Sequence, residues 1–173
     1  MSPTHEESLP LRIRAYHNAA ADAGISAFPS EPLARHTTFR IGGMCDLLVK
    51  ASSVESLVRC CELARDLQVP AMVLGGGSNI LVSDDGIAGV VIANQARRVR
   101  IGGDQDEPGS DMTTVIADGG APLAGLARRC IREGLSGLEW AVSVPGTVAG
   151  AVIGNAGAYG GETSRNLLWV EVW

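Results

Sequence analysis

A chain of 173 residues with 46% hydrophobic content has room for one domain or two small subdomains around a buried core. A net charge of −5 with no basic block argues against nucleic acid as a partner, while 4% aromatic residues beside 22 glycines point to ligand contacts made mainly by main chain. Cys45, Cys60, Cys61 and Cys130 lack metal-ligand spacing and lie in apolar patterns, so buried free thiols in a reducing compartment, and no metal, are expected.

The first residues, Ser2 to Ser8, are polar and acidic without an apolar signal core, so nothing directs export and a cytoplasmic location is expected. Leu11 to Ala23 reads as a leader helix, ended by Gly24 and by the punctuation Pro29-Ser30-Glu31-Pro32. Residues 1–34 are accordingly treated as an N-terminal extension. Arg35-His36-Thr37-Thr38-Phe39-Arg40-Ile41-Gly42-Gly43 leads into a strand from Cys45 to Val49. His36, between Arg35 and two threonines, is read as a hydrogen-bonded loop residue and given no chemistry.

Ser52-Ser53-Val54-Glu55 forms a capping box with Ser52 as N-cap and Glu55 at the third helical position, and a helix through about Leu67 follows. Pro70 opens the strand Ala71 to Leu74, which delivers Gly75-Gly76-Gly77-Ser78-Asn79, and short strands Ile80 to Ser83 and Gly89 to Ala93 flank an Asp84-Asp85-Gly86 turn. Two readings of the glycine run stand side by side. It is either a hairpin turn between Ala71–Leu74 and Ile80–Val82, or a cradle in which glycines at φ > 0 converge N–H groups on an anion. It is neither a P-loop nor a Rossmann fingerprint, since no Gly-Lys-[Ser/Thr] follows and Ile80 stands where a third spaced glycine is needed. Its place at the C-terminal end of a strand in a β-α-β unit favours the cradle.

A second set of elements begins with Val99 to Ile101, a Gly/Asp-rich hairpin from Gly102 to Asp111, and a strand from Thr113 to Ala117. Pro122 then starts a helix with Leu123, Leu126, Ala127, Cys130 and Ile131 on its apolar face, ending at Gly134. In Ser143 to Asn155, Ser143 is expected to cap and Pro145 to start a helical turn that lines up Gly146, Gly150 and Gly154 on one bare face. That face admits either a closely packed backbone or a flat ligand, and free N–H groups at the helix N-terminus favour phosphate nearby. Trp140 to Gly161 carries no charge and is long enough to span a bilayer, yet its glycines, Pro145, Asn155 and hydroxyls suit a loop-and-helix site better, so no membrane partner is expected.

Five motifs in order, His36 to Gly43, Leu74 to Val82, Gly134 to Glu139, Val144 to Val148 and Asn155 to Glu162, resemble the UDP-N-acetylenolpyruvoylglucosamine reductase family. The resemblance implies an α+β fold of the two-subdomain FAD-binding, vanillyl-alcohol-oxidase (PCMH) type, with subdomains at 35–95 and 96–173. It implies non-covalent FAD held by Gly75, Gly76, Gly77, Ser78, Asn79, Ser143, Val144, Pro145, Gly146, Gly150, Asn155 and Gly157, with Tyr159 on the substrate side. Ser78 occupies the place where some proteins of this fold attach flavin through histidine, so dissociable FAD is expected. Ser143, Ala149 and Gly154 depart from the family's usual residues.

The implied reaction is reduction of an enolpyruvyl UDP-amino-sugar by NADPH through FAD, in peptidoglycan synthesis. The family's proton donor and electrophilic groups fall in motifs not found before Trp173, so no catalytic residue is assigned and the chain alone is expected to bind FAD without turning over substrate. Leu167 to Trp173 reads as a strand cut at its far end, with the substrate domain beyond it. The alternatives are a non-catalytic flavin-binding module and a subunit of another FAD oxidoreductase of the same fold.

Overall fold

The structure, a computed structural model, describes residues 9–103 and 111–173. Two compact units divide the chain, Met1–Gln95 and Ala96–Trp173.

The first unit is organised by strand β2 (Met44–Ala51), whose Leu47, Leu48, Val49 and Ala51 are fully buried. Alternation along a strand sends Leu47, Val49 and Ala51 to one face and Leu48 to the other. A register shift between Cys45 and Leu47 turns Cys45 to the side of Leu48, so the strand feeds two separate apolar clusters. Each fully buried leucine contributes about 1.5–3 kcal/mol of apolar transfer, which makes β2 the anchor of the unit.

Helix α1 (Leu11–Asp22) and strand β1 (Ser26–Pro32) precede β2. They are not an appendage. The sheet order is β1-β2-β4-β3, with β1 antiparallel to β2 and both β3 (Ala71–Leu74) and β2 parallel to β4 (Ile87–Asn94). Residues expected to punctuate the chain, Pro29 to Pro32, therefore form an edge strand, where proline is tolerated because one side needs no ladder bond. Tyr16 of α1 is fully buried and its hydroxyl donates to the Cys60 carbonyl at 2.9 Å.

Helix α2 (Val54–Asp66) connects β2 to β3. Its cap is Ser53 rather than Ser52. The Ser53 side chain accepts from the Ser56 amide at 3.2 Å, and the Ser53 amide donates to the Ser56 hydroxyl at 2.9 Å. A serine at the third position closes the box as a glutamate would, which moves the start by one residue. The expected strand at Ile80 to Ser83 does not form, because the neighbour of β3 is β4 and Ser83 instead accepts from the Gly43 amide at 2.9 Å. This rules out the hairpin reading of the glycine run.

The second unit pairs β5 (Val99–Ile101) with β6 (Val115–Ala117), and most of the hairpin expected at Gly102 to Asp111 lies outside the described residues. Helix α3 (Leu123–Arg132) buries Leu123, Leu126, Ala127 and Cys130 as its periodicity requires, while Ile131 is 44% exposed and leaves the face. A 3-10 turn (Glu139–Ser143) leads to α4 (Val148–Ile153), then to the hairpin β7 (Gly157–Ala158) and β8 (Gly161–Glu162), and to α5 (Thr163–Asn166). Leu167 to Trp173 is not a strand, since no partner strand for it stands among the described residues, and Leu168 and Trp173 are exposed. No helix is long and apolar enough to cross a membrane among the described residues. Cys45, Cys60 and Cys130 are buried, but Cys61 is exposed, contrary to expectation.

Candidate functional site

In the first unit, β3 ends at Leu74 and the chain leaves the sheet through Gly75–Asn79. Gly75 and Gly76 are exposed, Gly77 is buried, and among these three the left-handed conformation is at Gly77, φ 63°. The expectation that the whole run uses φ > 0 is therefore corrected. Gly77 is needed for close approach: a Cβ there would collide with the His36 carbonyl and stand 3.0 Å from Thr37 Cα. Its carbonyl also accepts from the Thr38 amide at 2.9 Å.

The arc Thr37–Gly43 continues that contact. Gly42 and Gly43 abut Val82 and the Asp84 carbonyl, and Gly86 abuts Met44, in each case with no space for a Cβ. His36 Nε2 lies 2.9 Å from Glu31 Oε1, which ties the start of the arc to β1. The loop is thus clamped on one side and open at Gly75 and Gly76. Ser78 is half-buried and Asn79 exposed.

In the second unit, Ser143 ends the 3-10 turn, Val144 is extended, and Gly146 sits at φ 106°. The cap of α4 is Thr147, not Ser143, and Pro145 precedes the helix. Thr147 Oγ1 accepts from the Gly150 amide at 3.4 Å, while the Val148 and Ala149 amides donate to the Ala121 and Gly119 carbonyls, each at 2.9 Å. Three amides of the first helical turn are already engaged. The expectation of free N–H groups at this N-terminus fails because Gly119–Ala121 runs alongside and takes them.

Gly150 and Gly154 remain exposed, and a Cβ on Gly150 would meet only Thr147 Oγ1, at 3.5 Å. Gly146, at φ 106° ahead of α4, is not on the helix, so the expected three-glycine face is reduced to Gly150 and Gly154, and it is open rather than a seat for another backbone of its own unit. Asn155, at φ 41°, donates to Glu162 Oε2 at 3.3 Å and accepts from the Ser164 amide at 2.9 Å, so its side chain holds the hairpin base. Gly157 is needed because a Cβ there would stand 2.7 Å from the Gly161 carbonyl.

Tyr159 and Gly160 form the two-residue turn of that hairpin, both at φ > 0. Tyr159 is 86% exposed and, with Glu139, Trp140, Gly160 and Gly161, lines an open recess of ≈ 430 Å³. The recess floor is fixed by Trp140, whose indole N–H donates to Asn166 Oδ1 at 3.0 Å while Asn166 donates to the Gly137 carbonyl at 3.1 Å. Arg165 donates to the Gly160 carbonyl at 3.0 Å and stabilises the turn. Trp140 and Asn166 meet across 26 residues, with no local pattern to signal them, whereas Thr147 is a local cap, three residues before Gly150, at a helix start the sequence places at Ser143 and Pro145.

A family profile described as FAD binding domain matches residues 45–173. The chain belongs to the FAD binding domain family. It is similar to UDP-N-acetylenolpyruvoylglucosamine reductase of Rubrobacter xylanophilus, 46% identical over 144 residues that cover 82% of this chain and 46% of that protein. It also resembles the crystal structure of the reductase of that name from Thermus caldophilus, with TM-score 0.57, 29% identity, and coverage of 80% of this chain and 44% of that one. A solvent-stable cholesterol oxidase, 15% identical, TM-score 0.57, covering 79% of this chain and 25% of that one, shares the fold alone. The mixed helix-and-sheet architecture is the FAD-binding PCMH type expected from sequence. The chain spans about half the length of the curated relatives it matches.

Proposed function

We propose that this chain is the FAD-binding portion of a cytoplasmic flavoenzyme that uses NADPH to reduce UDP-N-acetylglucosamine enolpyruvate to UDP-N-acetylmuramate in peptidoglycan synthesis. The observation that carries the reading is the clamped glycine loop. Gly77 is locked against His36 and Thr37 while Gly75 and Gly76 face solvent, which leaves backbone free to approach a pyrophosphate. The family membership and the names of the relatives support the same cofactor and substrate.

Gly75–Asn79 would bind the pyrophosphate, Ser78 offering a hydroxyl and no covalent attachment. Ser143–Gly146, Gly150 and Gly157 would admit the flat ring system by main-chain contact, and Asn155 would hold the hairpin that presents Tyr159. Bound FAD supplies hydride transfer from a nicotinamide donor to the substrate double bond. Tyr159, at the rim of the open recess, would contact the UDP-amino-sugar. The proposed subdomains are 35–95 and 96–173, with residues 9–34 contributing α1 and β1 to the first unit.

The test is Gly76→Val, which adds a branched side chain on the exposed side of the loop and leaves the clamp at Gly77 intact. FAD affinity, read by flavin fluorescence on titration, is expected to fall at least about tenfold, a loss of ~1.4 kcal/mol, with the apo melting temperature kept. Affinity equal to the parent's removes the loop from the cofactor site.

A further inference from the structure

Arg40 is the cationic residue that, among the described residues, stands at a left-handed φ, 56°. A side chain with a Cβ is disfavoured there, and the chain places glycine only two residues later, at Gly42. Such strain persists where the surroundings over-determine it and recurs at ligand clamps. The surroundings here do so. Thr37 is buried and its Oγ1 donates to the Ile41 carbonyl at 3.0 Å, and the Arg40 amide donates to the Thr37 carbonyl at 3.2 Å.

The turn that holds Arg40 is fastened on both sides to the chain carrying the glycine loop. Two residues before it, the Thr38 amide donates to the Gly77 carbonyl at 2.9 Å. Two residues after it, Gly42 packs so that a Cβ would stand 2.7 Å from Val82 Cβ. Arg40 is exposed, and its guanidinium makes no hydrogen bond or ion pair with the described residues. A cation carried on a strained turn, bolted to an open backbone cradle and left without a partner among the described residues, suits an anionic ligand at that cradle.

We infer that Arg40 is a cofactor-binding residue that pairs with the diphosphate at the Gly75–Asn79 loop. This rests on the FAD reading above and adds a charged side chain to a site otherwise made of main chain and the Ser78 hydroxyl. The guanidinium supplies planar, charge-assisted donors that match phosphate oxygens, complementing the loop amides.

The experiment titrates FAD into the parent chain, Arg40→Asn, Arg40→Lys and Gly76→Val at two salt concentrations, with apo melting curves for each. Asparagine tolerates the left-handed region, so Arg40→Asn is expected to keep the apo melting temperature, weaken FAD about tenfold and flatten the salt dependence of binding. Arg40→Lys is expected to recover part of the affinity and the salt dependence, because the charge returns without the fork. Arg40→Asn binding FAD as the parent does, or with unchanged salt dependence, overturns the inference while Gly76→Val still reports on the loop. A parent that takes up no FAD, or a silent Gly76→Val, overturns the underlying reading and the inference with it.

Discussion

The two units hold their glycine-bearing loops in place by different means. In the first, a four-stranded sheet with two apolar clusters supports one loop, and close glycine contacts with the arc Thr37–Gly43 press that loop into place. In the second, strands of two or three residues and a six-residue helix offer little ladder, and single side chains, Trp140, Thr147 and Asn166, do the fastening through hydrogen bonds. Close glycine packing dominates in the first unit, while the second adds long-range side-chain bonds to its own tight glycines, Gly157 and Gly161. Each mode breaks under a different kind of substitution.

The largest effect is expected at Trp140, buried to 8% exposure with Gly161 against its ring. Trp140→Ala should destabilise the second unit by about 3–5 kcal/mol, read as lost hydrogen-exchange protection at Ala141 and Ala151. Unchanged protection there would remove Trp140 as the fastener. Glycines test the steric mode next. Gly86 and Gly134 share φ 77°, but a Cβ on Gly86 would collide with the Met44 carbonyl whereas Gly134 has nothing within 4 Å. Gly134→Ala should cost about 1–2 kcal/mol for the left-handed backbone alone, and Gly86→Ala more, in urea unfolding. Equal costs would deny that close approach shapes the first unit.

A smaller loss, about 1 kcal/mol, is expected for Ser53→Ala, which opens the capping box of α2, whereas Ser52→Ala should leave the unfolding midpoint unchanged. The reverse order would restore the cap assignment made from sequence. At neutral pH the last effect vanishes. Burial pushes the Cys45 thiol up to about 11, above the ~8.5 of an exposed thiol. Between those values the folded chain holds more protons than the unfolded one, so stability is fully present below pH ~8.5 and falls as pH rises toward 11. Burial likewise raises the Tyr16 hydroxyl, which acts in the same direction. A urea midpoint that rises across that window would contradict the buried, neutral assignment.

Sequence by itself determined the elements whose signal is local. The α1, α2 and α3 spans, the strand Ala71–Leu74 and the turn at Asp84–Gly86 follow from periodicity, caps and glycine placement within a few residues, and the ordered motifs carry the family resemblance. The tertiary structure decided what depends on a distant neighbour. Pro29–Pro32 became a strand because an edge position beside β2 accepts proline, Ile80–Ser83 did not because its hydrogen bonding goes to Gly43, and the α4 amides lost their freedom to Gly119 and Ala121. Gly77 makes the distinction sharpest. Its residue type was readable as a backbone licence, but only the carbonyl of His36, more than forty residues earlier in the chain, shows that the licence is used for packing rather than for aiming three amides. A hydrogen bond or a steric contact between remote segments has no one-dimensional period, and for that reason no pattern in the chain announces it.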